Sequence, residues 1–435
     1  MHSKKISSPY LHIISGLVLI LLLFTYIRAI PNSPFFGDES HWIHTSVYWE
    51  ILLEQPSTSP FWSENYWTLT QPPVTRYIIG IARNIQGFNS EQLNNPWEFS
   101  QSFEENAANN NMPSQDLLFA SRVPMAILAA LTGWVIFLII LNGYGILAAV
   151  LFVLLYAFND YLKITLVRAM GESPMLFFLT LSSFFLILAI REFIVWSKNE
   201  TPDRKAIKSY FLFSLSGIAC GLAGASKING LMAGASIALI VFALLFFFSP
   251  SLNKNLKIKM SVRIIFIFAC SVILPFILIN PFLYASPLSR IGLMAKFRLY
   301  EMGVQIAGFP DMHINTLSER VPLLFAEVFS QYMPFHLPAI LYFLLVGIGA
   351  INLINRLLDW NKSRQNFPTE LVLVLVLLPL ALAGYATPLN WDRYFLSSVM
   401  LNMICAPIGI AYLLKTLPGI LNKINSRRKQ SLARH

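Results

Sequence analysis

Charged residues are scarce in this chain. Only 12% of its 435 residues are Asp, Glu, Lys or Arg, whereas 55% are hydrophobic. Soluble globular domains carry about 25% charged residues, so this composition excludes an ordinary soluble protein. The sequence instead predicts an all-α protein that crosses a membrane many times.

Cysteines are also few, and no internal repeat is evident. The three cysteines, Cys220, Cys270 and Cys405, lie inside apolar segments and have neither metal-binding nor disulfide spacing. They are typical of small residues in a packed core. Transporters usually contain repeated halves, so the lack of a repeat argues against a transporter.

Long apolar runs make up most of the chain. Because about 20 apolar residues cross a bilayer core, we predict ten spans. The first follows Lys4 and Lys5 and resembles a signal peptide, but it is long and has no evident cleavage site, so we predict an uncleaved helix. The ten predicted spans are residues 11–30, 121–140, 143–158, 173–193, 209–225, 229–249, 264–283, 336–355, 369–388 and 394–414.

The net charge of +10 is unevenly distributed. With both termini in the cytoplasm, most Lys and Arg residues fall on the inner side of a plasma (inner) membrane, as the positive-inside rule requires. The predicted first outer loop, residues 31–120, contains ten acids but only Arg76 and Arg83. The basic residues therefore indicate topology and exclude nucleic acid as a partner. We expect residues 1–415 to form one membrane domain and the basic tail, 416–435, to meet anionic lipid.

Two adjacent carboxylates, Asp38 and Glu39, follow the first span in the stretch FFGDESHW (35–42). Ser40 is a predicted N-cap, and an acid near a helix start ionises easily. An ionised Asp at a membrane surface can act as a general base. The alternative is that both acids only solvate a loop.

Isolated charged residues gather at the predicted outer ends of the spans. Such groups are costly near a bilayer and are often functional. They come from distant parts of the sequence but share one face, which is how a site at a membrane surface is assembled. These residues are Asp38, Glu39, Asp160, Lys163, Arg168, Glu172, Lys227, Asp392 and Arg393.

Two long outer segments separate the predicted spans. Residues 31–120 are expected to contain a Trp-rich interfacial helix from Ser40 and a turn at Pro72-Pro73 that sets the next helix. The Asn-, Gln- and Ser-rich stretch 88–115 is expected to be mobile. Residues 284–335 mix basic and apolar residues and predict a helical cap.

Seven short motifs occur in order along the chain. They are Asp38-Glu39, Gln71-Pro72-Pro73, Ser121-Arg122-Val123-Pro124, Arg168 to Phe178, Gly221-Leu222-Ala223 with Ser226-Lys227, Asn280-Pro281-Phe282, and Asp392-Arg393-Tyr394. Each motif alone is weakly specific, but their order, spacing and shared outer placement point to one superfamily. Together they resemble the protein O-mannosyltransferase family and its bacterial relatives, including the aminoarabinose transferase that modifies lipid A.

The resemblance reaches about residue 400. It implies the GT-C fold and a donor sugar carried on dolichyl or undecaprenyl phosphate. It further implies that Asp38 is the general base and that the anomeric carbon inverts. Gln71 stands where the family has His, and Glu172 stands where it usually has Asp.

Sugar transfer from a polyprenyl phosphate to a hydroxyl needs a base for the acceptor and positive charge for the leaving phosphate. Arg168, Lys227 and Arg393 are the candidates for phosphate binding. Glu39 is a candidate ligand for a divalent metal or for the acceptor. The expected partners are the lipid-linked donor, the bilayer, and an acceptor that is a protein, a lipid or a glycan.

Glu172 and Arg122 are expected to support the site. Plainer interpretations remain open for several of these residues. Glu172 can pair with Arg168 to fix a loop, Lys227 can extend to the interface, and Arg393 can anchor a span end.

Three other functions compete with a transferase. A polyprenyl-lipid or solute transporter or flippase would place its polar groups near the bilayer centre. A lipid-linked glycan polymerase or ligase would also use outer Arg residues. A membrane scaffold gives no reason for outer acids and bases to cluster. The acidic pair after the first span favours the transferase.

Overall fold

The computed structural model is almost entirely helical. Within its described residues the one β-type contact is an isolated antiparallel bridge between His313 and Leu389. The all-α prediction is therefore confirmed, while Lys4 and Lys5 lie outside the described part of the chain. The structure describes residues 8–55, 59–199, 204–248, 254–363 and 367–432.

The described ranges contain α-helices of very different lengths, joined by loops and short helical turns. In chain order they are α1 (Ser8–Ala29), α2 (Gly37–His44), α3 (Tyr48–Glu54), α4 (Tyr66–Thr70), α5 (Pro73–Ile85), α6 (Phe103–Ala108), α7 (Gln115–Gly143), α8 (Ile146–Ala157), α9 (Asp160–Val167), α10 (Glu172–Asn199), α11 (Arg204–Ser226), α12 (Met232–Phe248), α13 (Lys254–Leu278), α14 (Pro287–Gly308), α15 (Leu317–Ala326), α16 (Ala339–Ser363), α17 (Glu370–Ala386) and α18 (Leu396–Leu432).

Seven of the described helices are long and apolar enough to cross a membrane. A helix satisfies its backbone hydrogen bonds internally, so it is the form in which an apolar run can enter lipid. Each of these helices coincides with a predicted span. They are α1, α7, α10, α11, α13, α16 and α18.

The remaining three predicted spans are bent or short. The third span is α8, which joins α9 at an angle of 67°. Asn159 produces this break, because its side-chain oxygen caps α9 by accepting from the Leu162 amide at 2.7 Å. Its amide group also donates to the Tyr332 carbonyl at 2.7 Å. The spans predicted at 229–249 and 369–388 are the 17-residue helices α12 and α17.

The helix behind the first span begins earlier than predicted. Phe36 is extended and α2 starts at Gly37, so the prediction that Ser40 caps the helix is wrong. Glu39 performs part of that function, since its Oε2 accepts from the Phe36 amide at 3.1 Å. The Ser40 hydroxyl instead donates to the Asn111 carbonyl at 2.7 Å.

The stretch 88–115 is folded, so the prediction of a mobile segment is wrong. Its centre is Asn106, a fully buried side chain in α6. The Asn106 amide donates to the Glu98 carbonyl at 2.9 Å, and its oxygen accepts from the Glu98 amide at 2.8 Å. Side chains that bond to the backbone can order a polar loop without a large apolar core.

The other connecting elements agree with the sequence pattern. Pro73 is the first residue of α5, so the predicted turn is confirmed. The second long connecting segment contains α14, α15 and a π-helical turn, Glu327–Gln331. These elements place α14 beside the ends of several long helices, where it lines a cavity.

Candidate active site

A cavity of about 660 Å³ lies where several distant parts of the chain meet. Its wall includes the start of α2, residues of α4, the start of α10, the link between α11 and α12, one side of α14, and the residues before α18. Aromatic side chains, among them Trp42, Phe309 and Trp391, cover much of the surface. The charged residues in the wall are Asp38, Glu172, Lys227, Arg298, Glu301, Asp392 and Arg393.

Asp38 and Arg393 form an ion pair in this cavity, although 355 positions separate them in sequence. Asp38 lies in the first turn of α2, where the helix dipole favours a carboxylate. Burial is the largest influence and opposes ionisation of this carboxyl, but the charge and hydrogen bond of Arg393, with smaller contributions from His41 and Lys227, together hold the pKa of Asp38 below its ordinary value. Asp38 is therefore an ionised acceptor at neutral pH.

Glu172 and Lys227 form the second ion pair of the wall. Glu172 opens α10, and Lys227 follows the last residue of α11. The Glu172 side chain is 3% exposed, whereas that of Lys227 is 25% exposed, so the lysine is the partner that a substrate can reach. The sequence-based alternative, a pairing of Glu172 with Arg168, does not occur here.

Glu39 lies behind the wall and is fully buried. Arg122 donates to both of its oxygens, at 2.8 and 2.6 Å, and the Ala169 amide donates to Oε1 at 2.8 Å. Arg122 also donates to the Ser33 carbonyl at 2.8 Å. Glu39 does not line the cavity and its oxygens are occupied by donors, so this geometry makes it a positioning residue.

Arg168 is also behind the wall. Its guanidinium donates to Asp392 at 3.2 Å and lies 4.5 Å from the centre of the Phe36 ring. Asp392 in turn faces the cavity and accepts from the Arg393 amide at 2.6 Å. Arg168 therefore contacts the site through Asp392, and it does not itself line the cavity.

The predicted residues form a closed circuit of contacts. Asp38 pairs with Arg393, and the adjacent Asp392 pairs with Arg168. The amide of Ala169, next to Arg168, then donates to Glu39, which is next to Asp38. A buried charge needs a partner, and here each charge in the circuit has one. Asp160 and Lys163 stay outside: they pair with each other at 2.7 Å on the surface.

The donor set does not fit a divalent metal. Among the described residues, no group of three His, Cys, Asp or Glu side chains is close enough to hold one. Asp38 and Glu172 are each paired with a cation, and Glu39 is saturated by Arg122. Divalent ions need several free oxygen or nitrogen ligands, and these paired carboxylates do not offer them.

Several cavity residues escaped the sequence-based prediction. Tyr66, Glu301 and Gln305 contribute polar atoms to the wall, and Arg298 donates to the Tyr394 hydroxyl at 3.3 Å. Three of these four residues lie on α14. Arg298, Glu301 and Gln305 are spaced by three and four residues, which places them on one face of a helix. This spacing is the feature of the sequence that could have identified them.

The fold is that of the GT-C membrane glycosyltransferases. The apo oligosaccharyltransferase of Archaeoglobus fulgidus is similar with a TM-score of 0.54 and 15% identity, covering 95% of this chain and 52% of that one. Its complex with Zn and sulfate has a TM-score of 0.52 and 16% identity, covering 92% and 49%. A third structure of the same archaeal enzyme, tethered to an acceptor peptide by a disulfide bond, has a TM-score of 0.54 and 16% identity, covering 93% and 50%. The chain thus spans about half the length of the oligosaccharyltransferase it matches.

The sequence defines the family more narrowly than the fold does. The family described as dolichyl-phosphate-mannose-protein mannosyltransferase matches residues 17–286, which is more than half of the chain. The chain belongs to this family, and the resemblance drawn from the motifs is confirmed. No curated protein matches the chain.

Proposed function

We propose that this protein transfers a sugar from a polyprenyl-phosphate donor to a hydroxyl acceptor, with inversion at the anomeric carbon. One observation carries the proposal: the cavity contains an ionised carboxylate, Asp38, together with two cations that a substrate can reach, Lys227 and Arg393. This set matches the two needs of the reaction, a base for the acceptor and positive charge for the departing phosphate.

Lys227 and Arg393 are the proposed phosphate ligands. As the glycosidic bond breaks, the donor phosphodiester becomes a phosphomonoester, and its negative charge grows. Arg393 can offer a planar pair of N–H donors, and Lys227 adds a compact charge. Arg168 contributes indirectly, because its bond to Asp392 fixes the turn that carries Arg393.

Asp38 is the proposed general base. In the donor-free protein Arg393 neutralises Asp38 and lowers its pKa, which makes the carboxylate a weak base. A bound phosphate competes with Asp38 for the Arg393 guanidinium. When Arg393 binds the phosphate, it lowers the pKa of Asp38 less, so this pKa rises because the carboxyl is buried. The base thus strengthens when the donor is in place, and the acceptor hydroxyl loses its proton to Asp38 as it attacks the anomeric carbon.

The cavity is proposed to open on the outer face of the plasma (inner) membrane. α10 begins at the cavity with Glu172, and α18 begins there after Arg393. Their far ends carry Arg191 and Lys415, and the far end of α11 carries Lys208. Basic residues favour the cytoplasmic side, so the cavity belongs to the opposite side.

The test is sugar transfer by the purified protein in lipid nanodiscs. The donors are radiolabelled polyprenyl-phosphate mannose, glucose and aminoarabinose, and the acceptors are crude membrane protein and lipid. We expect Asp38→Asn to lose about 100-fold or more of the rate while still binding the donor. Asp160→Asn removes a carboxylate outside the cavity and should transfer at the wild-type rate. Full activity of Asp38→Asn would exclude Asp38 as the base, and absence of transfer from every donor would contradict the proposed function.

A further inference from the structure

Two acceptor oxygens on the α14 wall of the cavity have no donor. Glu301 accepts through Oε1, from the Tyr66 hydroxyl at 3.2 Å and weakly from Gln305 at 3.5 Å. Its Oε2 has no hydrogen bond to the described residues. One helical turn later, Oε1 of Gln305 is buried and also lacks a partner. A buried acceptor without a donor is costly, so Gln305 Oε1 is expected to meet a donor in the working protein. Glu301 is half-buried and lines the cavity, where a ligand can reach it.

Glu301 differs from the other carboxylates of the wall. Asp38, Glu172 and Asp392 are each paired with a cation. Among the described residues, Glu301 is the cavity carboxylate without a salt bridge. Its partner Tyr66 is a neutral donor, because burial, and then the Glu301 charge, raise the pKa of that phenol well above its ordinary value.

A pair of free acceptors facing a cavity selects a ligand rich in hydroxyl groups. The cations Lys227 and Arg393 occupy another part of the same wall, so one ligand can satisfy both parts if it carries a phosphate at one end and hydroxyls at the other. We propose that Glu301 and Gln305 form the subsite for the sugar of the donor, in which they accept from the hydroxyls of a pyranose ring. Tyr66 is then a positioning residue that orients the Glu301 carboxylate.

This inference rests on the proposed function, but it can fail separately. Hydrogen bonds to a charged group discriminate strongly, so loss of the Glu301 charge should remove about tenfold of the preference for a donor that carries sugar. Binding to the phosphate and the lipid tail should not weaken. The measured quantity is therefore the ratio of two dissociation constants, one for undecaprenyl phosphate and one for undecaprenyl-phosphate hexose.

The experiment follows the quenching of tryptophan fluorescence in nanodiscs, since Trp42 and Trp391 line the cavity. The ligands are undecaprenyl phosphate and its mannose and glucose derivatives. Glu301→Gln should bind the bare phosphate at least as tightly as the wild type, because a negative charge is removed from the cavity, and should lose most of the preference for the sugar-bearing lipids. Tyr66→Phe should lose part of that preference. Asp311→Asn, which removes an exposed carboxylate of the same segment outside the cavity, should keep it.

Each other outcome has a definite meaning. An unchanged preference in Glu301→Gln overturns the subsite. A wild-type protein that binds bare and sugar-bearing lipids equally also overturns it, while the proposed phosphate site survives. A wild-type protein that binds neither lipid overturns the proposed function, and the subsite with it.

Discussion

Individual charges in this protein have two kinds of role, and their exposure distinguishes them. Glu39 and Arg122 are 0% and 3% exposed and satisfy each other, so they hold the start of α2 against α7. Breaking such a buried pair by removing one partner typically costs about 3–5 kcal/mol. Asp38 and Arg393 are 21% and 14% exposed at the cavity, so a substrate can exchange with either partner. The adjacent acids Asp38 and Glu39 therefore have different roles, one at the cavity and one in the packing of α2.

At this scale we predict the pH dependence of an Arg393 variant. In the wild type the pKa of Asp38 is lowered, so the base stays ionised until the pH falls below the ordinary range of an aspartate. Arg393→Gln removes the largest of the charges that lower this pKa, so burial, which raises it, has more effect. The acid limb of kcat/KM, which reports the free enzyme, should therefore move to higher pH in Arg393→Gln.

The measurement is kcat/KM against pH for the wild type, Arg393→Gln and Lys163→Gln. The last variant removes a surface cation outside the cavity and should leave the limb in place. The position of the limb is independent of the lower rate that loss of a phosphate ligand also causes. If the limb of Arg393→Gln coincides with that of the wild type, Arg393 does not control the ionisation of Asp38.

Helices α16 and α18 approach each other closely at two glycines, each of which lies against the backbone of the other helix. A Cβ on Gly349 would collide with the Cys405 carbonyl of α18, and one on Gly409 would collide with the Leu345 carbonyl of α16. Small residues let membrane helices approach in this way, since lipid provides no hydrophobic force between them. The packing matters for the site because α18 begins directly after Asp392 and Arg393.

Gly349→Val is expected to destabilise the protein by about 1–3 kcal/mol, because backbone cannot move aside as a flexible side chain can. Gly347→Val, two residues away on α16, is the matched control, since no atom lies within 4 Å of its Cβ position. The midpoint of thermal unfolding in detergent should fall for Gly349→Val and stay near wild type for Gly347→Val. Equal midpoints would mean that α16 and α18 are less closely packed than the structure indicates.

In the whole molecule, the charged cavity and most of the basic helix ends lie at opposite ends of the long helices. In the proposed orientation, a lipid-linked donor would present its sugar at the outer surface, and the basic helix ends would lie in the cytoplasm. α14 lines the cavity at that end and also has exposed apolar side chains, such as Leu288 at 87% and Leu299 at 70% exposure.

The orientation predicts which surface residues a membrane-impermeant maleimide reaches in intact cells. Ser318→Cys lies on α15, in the second connecting segment that also contains α14, and should be labelled. Asn361→Cys lies near the far end of α16 and should be labelled only after the cells are opened. Both positions are exposed in the structure. The parent chain should have Cys220, Cys270 and Cys405 replaced by Ser or Ala. The reverse pattern would place the cavity in the cytoplasm.

The sequence by itself determined which long apolar segments are helices, the family, and several residues of the candidate site. Composition and the length of the apolar runs are enough to predict the ten apolar segments as helices, since burial in lipid depends on local hydrophobicity. The order of the motifs sufficed for the family, and four predicted site residues do line the cavity: Asp38, Glu172, Lys227 and Arg393.

Only the tertiary structure decided the partner of each charge. Glu39 and Asp38 are chemically alike neighbours, and no local pattern indicates that Glu39 turns inward to Arg122 while Asp38 faces Arg393. The order of the polar stretch 88–115 depends on hydrogen bonds such as those of Asn106, and the free acceptors of α14 depend on what surrounds them. Burial, ion pairing and unmet hydrogen bonds depend on residues far apart in sequence, so they are properties of the folded chain.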